Sequence, residues 1–294
     1  MANMTVTTGA AFIPELWAGE AMPASEFAAT IQKRVNRKLE KVATVGDTVH
    51  VPRRSNLSVR TKSADTDATF EAITEGTQDV TISTHQYAGF VLEQILEKQA
   101  NQDLRQMYSK NIGYALSRAT DVTLANLFAS LSTNSVGTLA VEMTSDDYTD
   151  VWKKLAEAGL LETGPAADED FSLFLSPAAY AAAMKVDVFA NRMYNTDGDA
   201  IRRAHVGHIY SFRVFISNLL QSSGGGHYCA AFHRDCFALV LQKEVAIDSD
   251  HLIEKMGDAV LGWRLYGTAE MNFPPETAGG GTAVDNRGCL ISTL

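Results

Sequence analysis

No apolar run in this 294-residue chain approaches the roughly 20 residues that cross a bilayer. There is no excess of positive charge either: 25 Lys and Arg stand against 35 Asp and Glu, a formal net charge of −10. Proteins that hold DNA through its phosphates are normally basic, so the chain as a whole is not a DNA ligand. Beside DNA it would act as a wall. The three cysteines (Cys229, Cys236, Cys289) have no C-x-x-C spacing and are odd in number, so they read as reduced, small packing residues. The start, MANMTVTTGAAFIPELW, lacks the basic region and continuous apolar core of a secretory signal. Synthesis in a reducing cytoplasm is the expectation.

Site chemistry is equally scarce. Gly224-Gly225-Gly226 is not followed by Lys-Ser/Thr, so it is no phosphate loop and reads as a flexible linker over Ser222 to Gly226. His205 and His208 have no nearby carboxylate or thiol set for zinc. Asn195-Thr196-Asp197-Gly198-Asp199 imitates the start of a calcium loop. Ala200 and Val206, however, stand where that loop needs its glycine and its bidentate glutamate; a polar turn is expected. No serine lies in G-x-S-x-G, and Cys289 has no positional link to a histidine. Neither an enzyme, a cofactor nor a metal centre is expected.

What is present is structural patterning of an α+β protein. Residues 1–25 read as an extended arm punctuated by Pro14 and Pro23, followed by a helix expected from about Glu26 to Lys41, with Phe27, Ile31, Val35 and Leu39 on its apolar face. Lys33, Arg34, Arg37 and Lys38 form its basic flank. From Val45 to Leu92 the period shortens to two, and a polar tip, Ser63 to Asp67, divides the stretch into the arms of a long hairpin. Its charges are segregated: Arg53, Arg54, Arg60 and Lys62 on one arm, Asp65, Asp67, Glu71, Glu75 and Asp79 on the tip and the other. These pair across the hairpin ladder, or meet opposite charge on a neighbouring subunit. A two-stranded ribbon needs another surface to lie on.

Residues 99–131 predict a long helix, with Leu104, Tyr108, Ile112, Ala115, Ala119 and Val122 as its stripe. A second α/β block follows. It has a helix capped at Ser145-Asp146-Asp147, a buried strand Phe171 to Leu175, a helix opened by Ser176-Pro177, and paired strands over His208 to Ser217. It reads as a subdomain inserted between two parts of another. Tyr228 to Leu241, Val245 to Met271 and Cys289 to Leu294 are strand-rich.

The order of these segments carries a resemblance. Phe12-Ile13-Pro14-Glu15-Leu16-Trp17 in the arm is followed by Gly46-Asp47-Thr48-Val49-His50-Val51-Pro52 before the hairpin. Glu97-Lys98-Gln99-Ala100-Asn101-Gln102-Asp103-Leu104 then opens the long helix. Ala231-Phe232-His233-Arg234-Asp235-Cys236-Phe237-Ala238-Leu239 and Tyr266-Gly267-Thr268-Ala269 complete the series. Together they resemble the major capsid proteins of tailed bacteriophages with the HK97-type fold.

The resemblance implies an N-terminal arm at 1–44, an E-loop at 45–92, and a P-domain with its spine helix at 93–137. An A-domain at 138–227 and the rest of the P-domain at 228–294 complete the chain. It also implies a self-assembling icosahedral shell of hexamers and pentamers in the virion, enclosing double-stranded DNA, with the basic cluster facing the lumen and touching DNA only weakly. A portal, a separate scaffolding protein (no fused scaffold is expected) and a decoration protein are the further partners implied; no membrane is. An encapsulin-like compartment and another phage structural protein are the alternatives.

Overall fold

The computed structural model describes residues 29–53, 59–68, 70, 72, 76–93, 95, 104–157, 170–186, 208–210, 212–271 and 287–294. The ribbon is built on an antiparallel ladder of β1 (Thr48–Arg53) and β2 (Gly76–Thr81), with Val49 opposite Val80 and Arg53 opposite Gly76. Val49, Val80 and Ile82 pack with Ala238, Val240 and Met271, which seats the base of the ribbon on the body. The expected hairpin does not extend to Leu92. β3 (Thr84–Glu93) leaves the ribbon and pairs with a later strand, because Phe90 and Leu92 need an apolar cover that a two-stranded ribbon lacks.

β3 is the edge of a three-stranded antiparallel sheet whose other members are β10 (Phe237–Leu252) and β11 (Gly257–Glu270), in the order β10-β11-β3. The long helix, α1 (Leu104–Asn126), crosses one face of it. Ile112 and Leu116 pack on Val260, with Ala88, Phe90 and Val245 around them. The approach is close: a Cβ on Gly262 would collide with Ile112 Cγ2. The buried line on α1 is Ile112, Leu116, Thr120 and Leu124, not the expected stripe through Ala115, Ala119 and Val122; Ala115 is exposed. Small residues all round this helix satisfy the helical period in two phases, and packing on Gly262 selects one of them.

The second sheet contains β4 (Ser135–Gly137), β5 (Phe171–Leu175), β6 (His208–Ile209), β7 (Phe212–Ile216), β8 (Ser222–Ser223), β9 (Gly226–His233) and β12 (Gly288–Thr293). Its order is β4-β12-β9-β5-β7-β6, with β8 hydrogen-bonded to β9. β5 is buried along its whole length, as expected of a central apolar run. α2 (Ser145–Glu157) buries Tyr148, Val151 and Leu155. The cap at its start is reciprocal: the Thr144 N–H donates to Asp147 Oδ2 at 2.8 Å and the Asp147 N–H to Thr144 Oγ1 at 3.4 Å. α3 (Pro177–Ala183) starts where the Ser176 hydroxyl accepts the Ala179 N–H.

Ser222 to Gly226 is no linker. Gly224 and Gly225, at φ +55° and +86°, form a two-residue turn between β8 and β9. The rings of Phe128, Phe174, Phe232 and Phe237 meet at centroid distances of 5.1 to 6.0 Å. This cluster joins the end of α1 to both sheets. All three cysteines are free and buried, and burial pushes the Cys229 and Cys289 thiols up to about 12.

The helix expected to run to Lys41 is broken within its described part. Two short 3-10 turns, Ile31–Lys33 and Lys38–Lys41, flank Asn36. Asn36 bridges β10 instead, its N–H donating to Phe237 O at 2.9 Å and its carbonyl accepting the Leu239 N–H at 3.0 Å. Ile31 and Val35 are buried as the apolar period requires.

Two polar anchors hold this segment. The Asp121 carboxylate on α1 accepts N–H bonds from Thr30, Ile31 and Gln32 at 3.0, 3.4 and 3.1 Å. Burial pushes its pKa above the ordinary carboxylate range, against the pull of those three donors and of Arg264. At the β9–β10 corner, Asp235 accepts from Asn36 Nδ2 at 2.8 Å and faces Arg287 at 3.5 Å, while its N–H donates to His233 Nδ1 at 3.2 Å. Burial first of all holds His233 below its usual value, which agrees with a neutral ring whose Nδ1 accepts.

Two outcomes follow from this packing. Gly262→Ala should lower subunit stability by about 1–3 kcal/mol, because α1 must lift off the sheet or Ile112 must leave its rotamer; denaturant unfolding of the unassembled subunit measures it. His233 has a depressed folded pKa, so its contribution is fully present above the unfolded value of about 6.5 and is lost as pH falls from there through the folded value. His233→Gln should flatten the stability profile across that window, read as Tm against pH.

Candidate functional site

The ribbon is the most exposed element that the structure describes. Beyond β1 and β2, Val59 is 99% exposed and Phe70 94% exposed, so neither buries its side chain on its own subunit. Arg60, Lys62, Asp65 and Asp67 are all exposed. At the tip, Asp65 takes a left-handed φ of 62° and the Thr66 hydroxyl donates to Ser63 O at 2.9 Å. The Arg53 side chain, Arg54, Glu71 and Glu75 lie outside the described residues.

Asp79 is engaged within the hairpin: it stands opposite His50 and meets its Nδ1 at 2.6 Å. Charge segregation pointed to arginines as partners and missed His50, although both residues lie on the ladder at alternating positions. The ribbon's root is tied down by the Gln78 side-chain amide, which donates to Glu270 O at 3.0 Å, and by the Ile82 N–H donating to Asp47 O at 2.7 Å.

The basic cluster is not a single patch of four available cations. Breaking the helix at Asn36 distributes them. The Arg34 guanidinium lies 4.7 Å over the Phe215 ring, which Arg213 also approaches at 5.6 Å. Arg37 makes a two-pronged contact with Glu40, at 2.6 and 3.1 Å, and lies 3.6 Å from Glu244. The hydrogen bond to Glu40 is the first cause that keeps Arg37 above its ordinary range. Lys33 and Lys38 are exposed.

Asp121 is the anchoring residue that composition did not reveal. The sequence carried no signal for it, because Asp121 lies off the apolar stripe that helical spacing suggested.

Among the described residues no group of three or more His, Cys, Asp or Glu side chains is placed to hold a metal ion. None of their helices is long and apolar enough to cross a membrane. Asn195–Asp199 and His205 fall outside the described residues, whereas His208 opens β6.

Comparison with known proteins places this geometry. No curated protein matches the sequence. The family model described as phage capsid protein matches residues 75–271, well over half of the chain. Among solved structures, a chain from Mycobacterium phage Che8 superposes with a TM-score of 0.78 at 19% identity, covering 95% of this chain and 97% of that one. The capsid of the cyanophage P-SCSP1u gives 0.73 at 16% identity, over 100% and 97%. The mature capsid of bacteriophage PhiM1 gives 0.70 at 10%, over 96% and 92%. At these identities the structures carry the fold, and the family model carries the kinship; an encapsulin-like compartment is not favoured. The chain therefore belongs to the phage capsid protein family and has the HK97-type α+β fold.

Proposed function

We propose that this subunit builds its shell, as hexamers and pentamers, by laying the ribbon on an adjacent copy. The observation that carries this reading is the pair of apolar side chains, Val59 and Phe70, exposed on a ribbon whose root packs on the body. A single subunit gains nothing from that exposure, whereas repeated contacts in a closed assembly bury it. The role is structural and non-enzymatic. Assembly takes place in the host cytoplasm, with a separate scaffolding protein, a portal and a decoration protein as partners. The E-loop at 45–92 then comprises the ribbon and the first strand of the P-domain sheet.

Toward the genome, the acidic subunit acts as a wall. Lys33 and Lys38 are the members of the basic cluster that reach packaged DNA, by weak non-specific phosphate contact. Arg34 and Arg37 serve packing instead, through Phe215, Glu40 and Glu244.

Replacing residues 54–75 by Asn-Gly keeps the β1–β2 ladder and closes it with a two-residue turn. This variant should remain a soluble folded subunit that forms no closed shells by electron microscopy; normal shells would remove the ribbon from assembly. Replacing Lys33 and Lys38 by Gln should leave empty-head formation intact and reduce packaged DNA per head. Replacing Arg34 and Arg37 should lower subunit stability first. An equal packaging defect from both pairs would contradict this division of roles.

A further inference from the structure

The corner between β9 and β10 is where both sheets meet the segment around Asn36. β9 belongs to the larger sheet and β10 to the smaller, and the 3-10 turn Arg234–Cys236 joins them. Backbone bonds pin this corner: the His233 N–H donates to Arg287 O at 2.9 Å, the Arg234 N–H to Asp170 O at 2.9 Å and the Met271 N–H to Cys236 O at 2.7 Å. A side chain caps the turn, because the Asp235 N–H donates to His233 Nδ1 at 3.2 Å. The capped turn fixes Asp235, whose Oδ1 accepts from Asn36 Nδ2 at 2.8 Å. Asn36 is itself oriented, since its own Oδ1 accepts the Lys38 N–H at 2.9 Å. His233 therefore acts on the arm through Asp235.

We propose that His233 is a proton-operated catch for the N-terminal arm: the neutral ring closes the corner on Asn36, and the imidazolium opens it. A neutral ring accepts at Nδ1 only when its proton sits on Nε2. Protonation places an N–H at Nδ1, head to head with the Asp235 N–H, and the cap is lost. The new donor turns to the Asp235 carboxylate, whose Oδ2 is 3.9 Å away. That carboxylate already serves Asn36 and, at 3.5 Å, Arg287. A charged donor outcompetes the neutral Asn36 amide for it, so the hold on the arm weakens.

The surroundings keep the catch closed near neutrality. Burial is the first cause; Asp235 and Asp170 favour the imidazolium, while Arg287 and Lys38 oppose it. The Phe171 ring, 5.1 Å away and steeply tilted, covers the imidazole without charge. The closed form is thus complete above the ordinary histidine value of about 6.5 and opens as pH falls below it. The second anchor of the arm contains no imidazole: Asp121 holds the N–H groups of Thr30, Ile31 and Gln32. Opening the catch frees the chain around Asn36 and leaves residues 30–32 tied to α1.

Hydrogen exchange on the full-length unassembled subunit reads the two anchors separately. The Asn36 and Leu239 amides, which join the arm to β10, report on the catch; those of Ile31 and Gln32 report on Asp121. Between about pH 7.5 and 5.5, corrected for intrinsic exchange, Asn36 and Leu239 should lose protection several-fold while Ile31 and Gln32 keep theirs. His233→Asn retains a capping acceptor that does not titrate, so its protection should be the same at both pH values. Asp235→Ala should give the open level at both.

No loss in the wild-type subunit, an equal loss in His233→Asn, or a loss at Ile31 and Gln32 as large as at Asn36 would overturn the proposal. So would neutral-pH protection in Asp235→Ala equal to that of the wild type. Should His233→Asn not fold, the wild-type subunit decides alone. The midpoint of its protection loss should follow the titration of the His233 ring by NMR, and a midpoint that departs from the ring's would refute the catch.

Discussion

The contact between Gly262 and Ile112 decides what the two faces of the small sheet can do. A three-stranded sheet is too thin to enclose a core, so one face must be covered from outside. α1 does this at close range because β11 presents no side chain where Ile112 lands. Everything apolar on that side, Val260, Ala88 and Phe90, is then sealed by one helix. On the other side, no helix or strand among the described residues packs over Tyr87, Leu261 and Trp263. A face of that kind signals association.

Much of this was legible in the sequence, and the parts that were not share a cause. The buried strand at 171–175, the Ser176-Pro177 helix start and the strand-rich run from Val245 to Met271 are local patterns, and each forms the element that it implied. The failures are all choices of partner. β3 alternates as a ribbon arm would, but only the fold supplies α1 to cover Phe90. The residues from 31 to 41 keep helical spacing at Ile31 and Val35, yet Asn36 gains two backbone bonds from β10, which outweigh continuing a short helix. The stripe on α1 was ambiguous because alanines serve either side.

Charge follows the same logic. Four cations within six residues read as one patch while they were assumed to share a helix. Once the chain turns at Asn36, Arg34 finds the Phe215 ring and Arg37 finds two carboxylates. The arm is thereby fastened to three elements: α1 through Asp121, β10 through Asn36, and the second sheet through Arg34. Arginine suits this use better than lysine, since its planar group stacks and forks while an ammonium does neither. The lysines of the cluster remain at the surface.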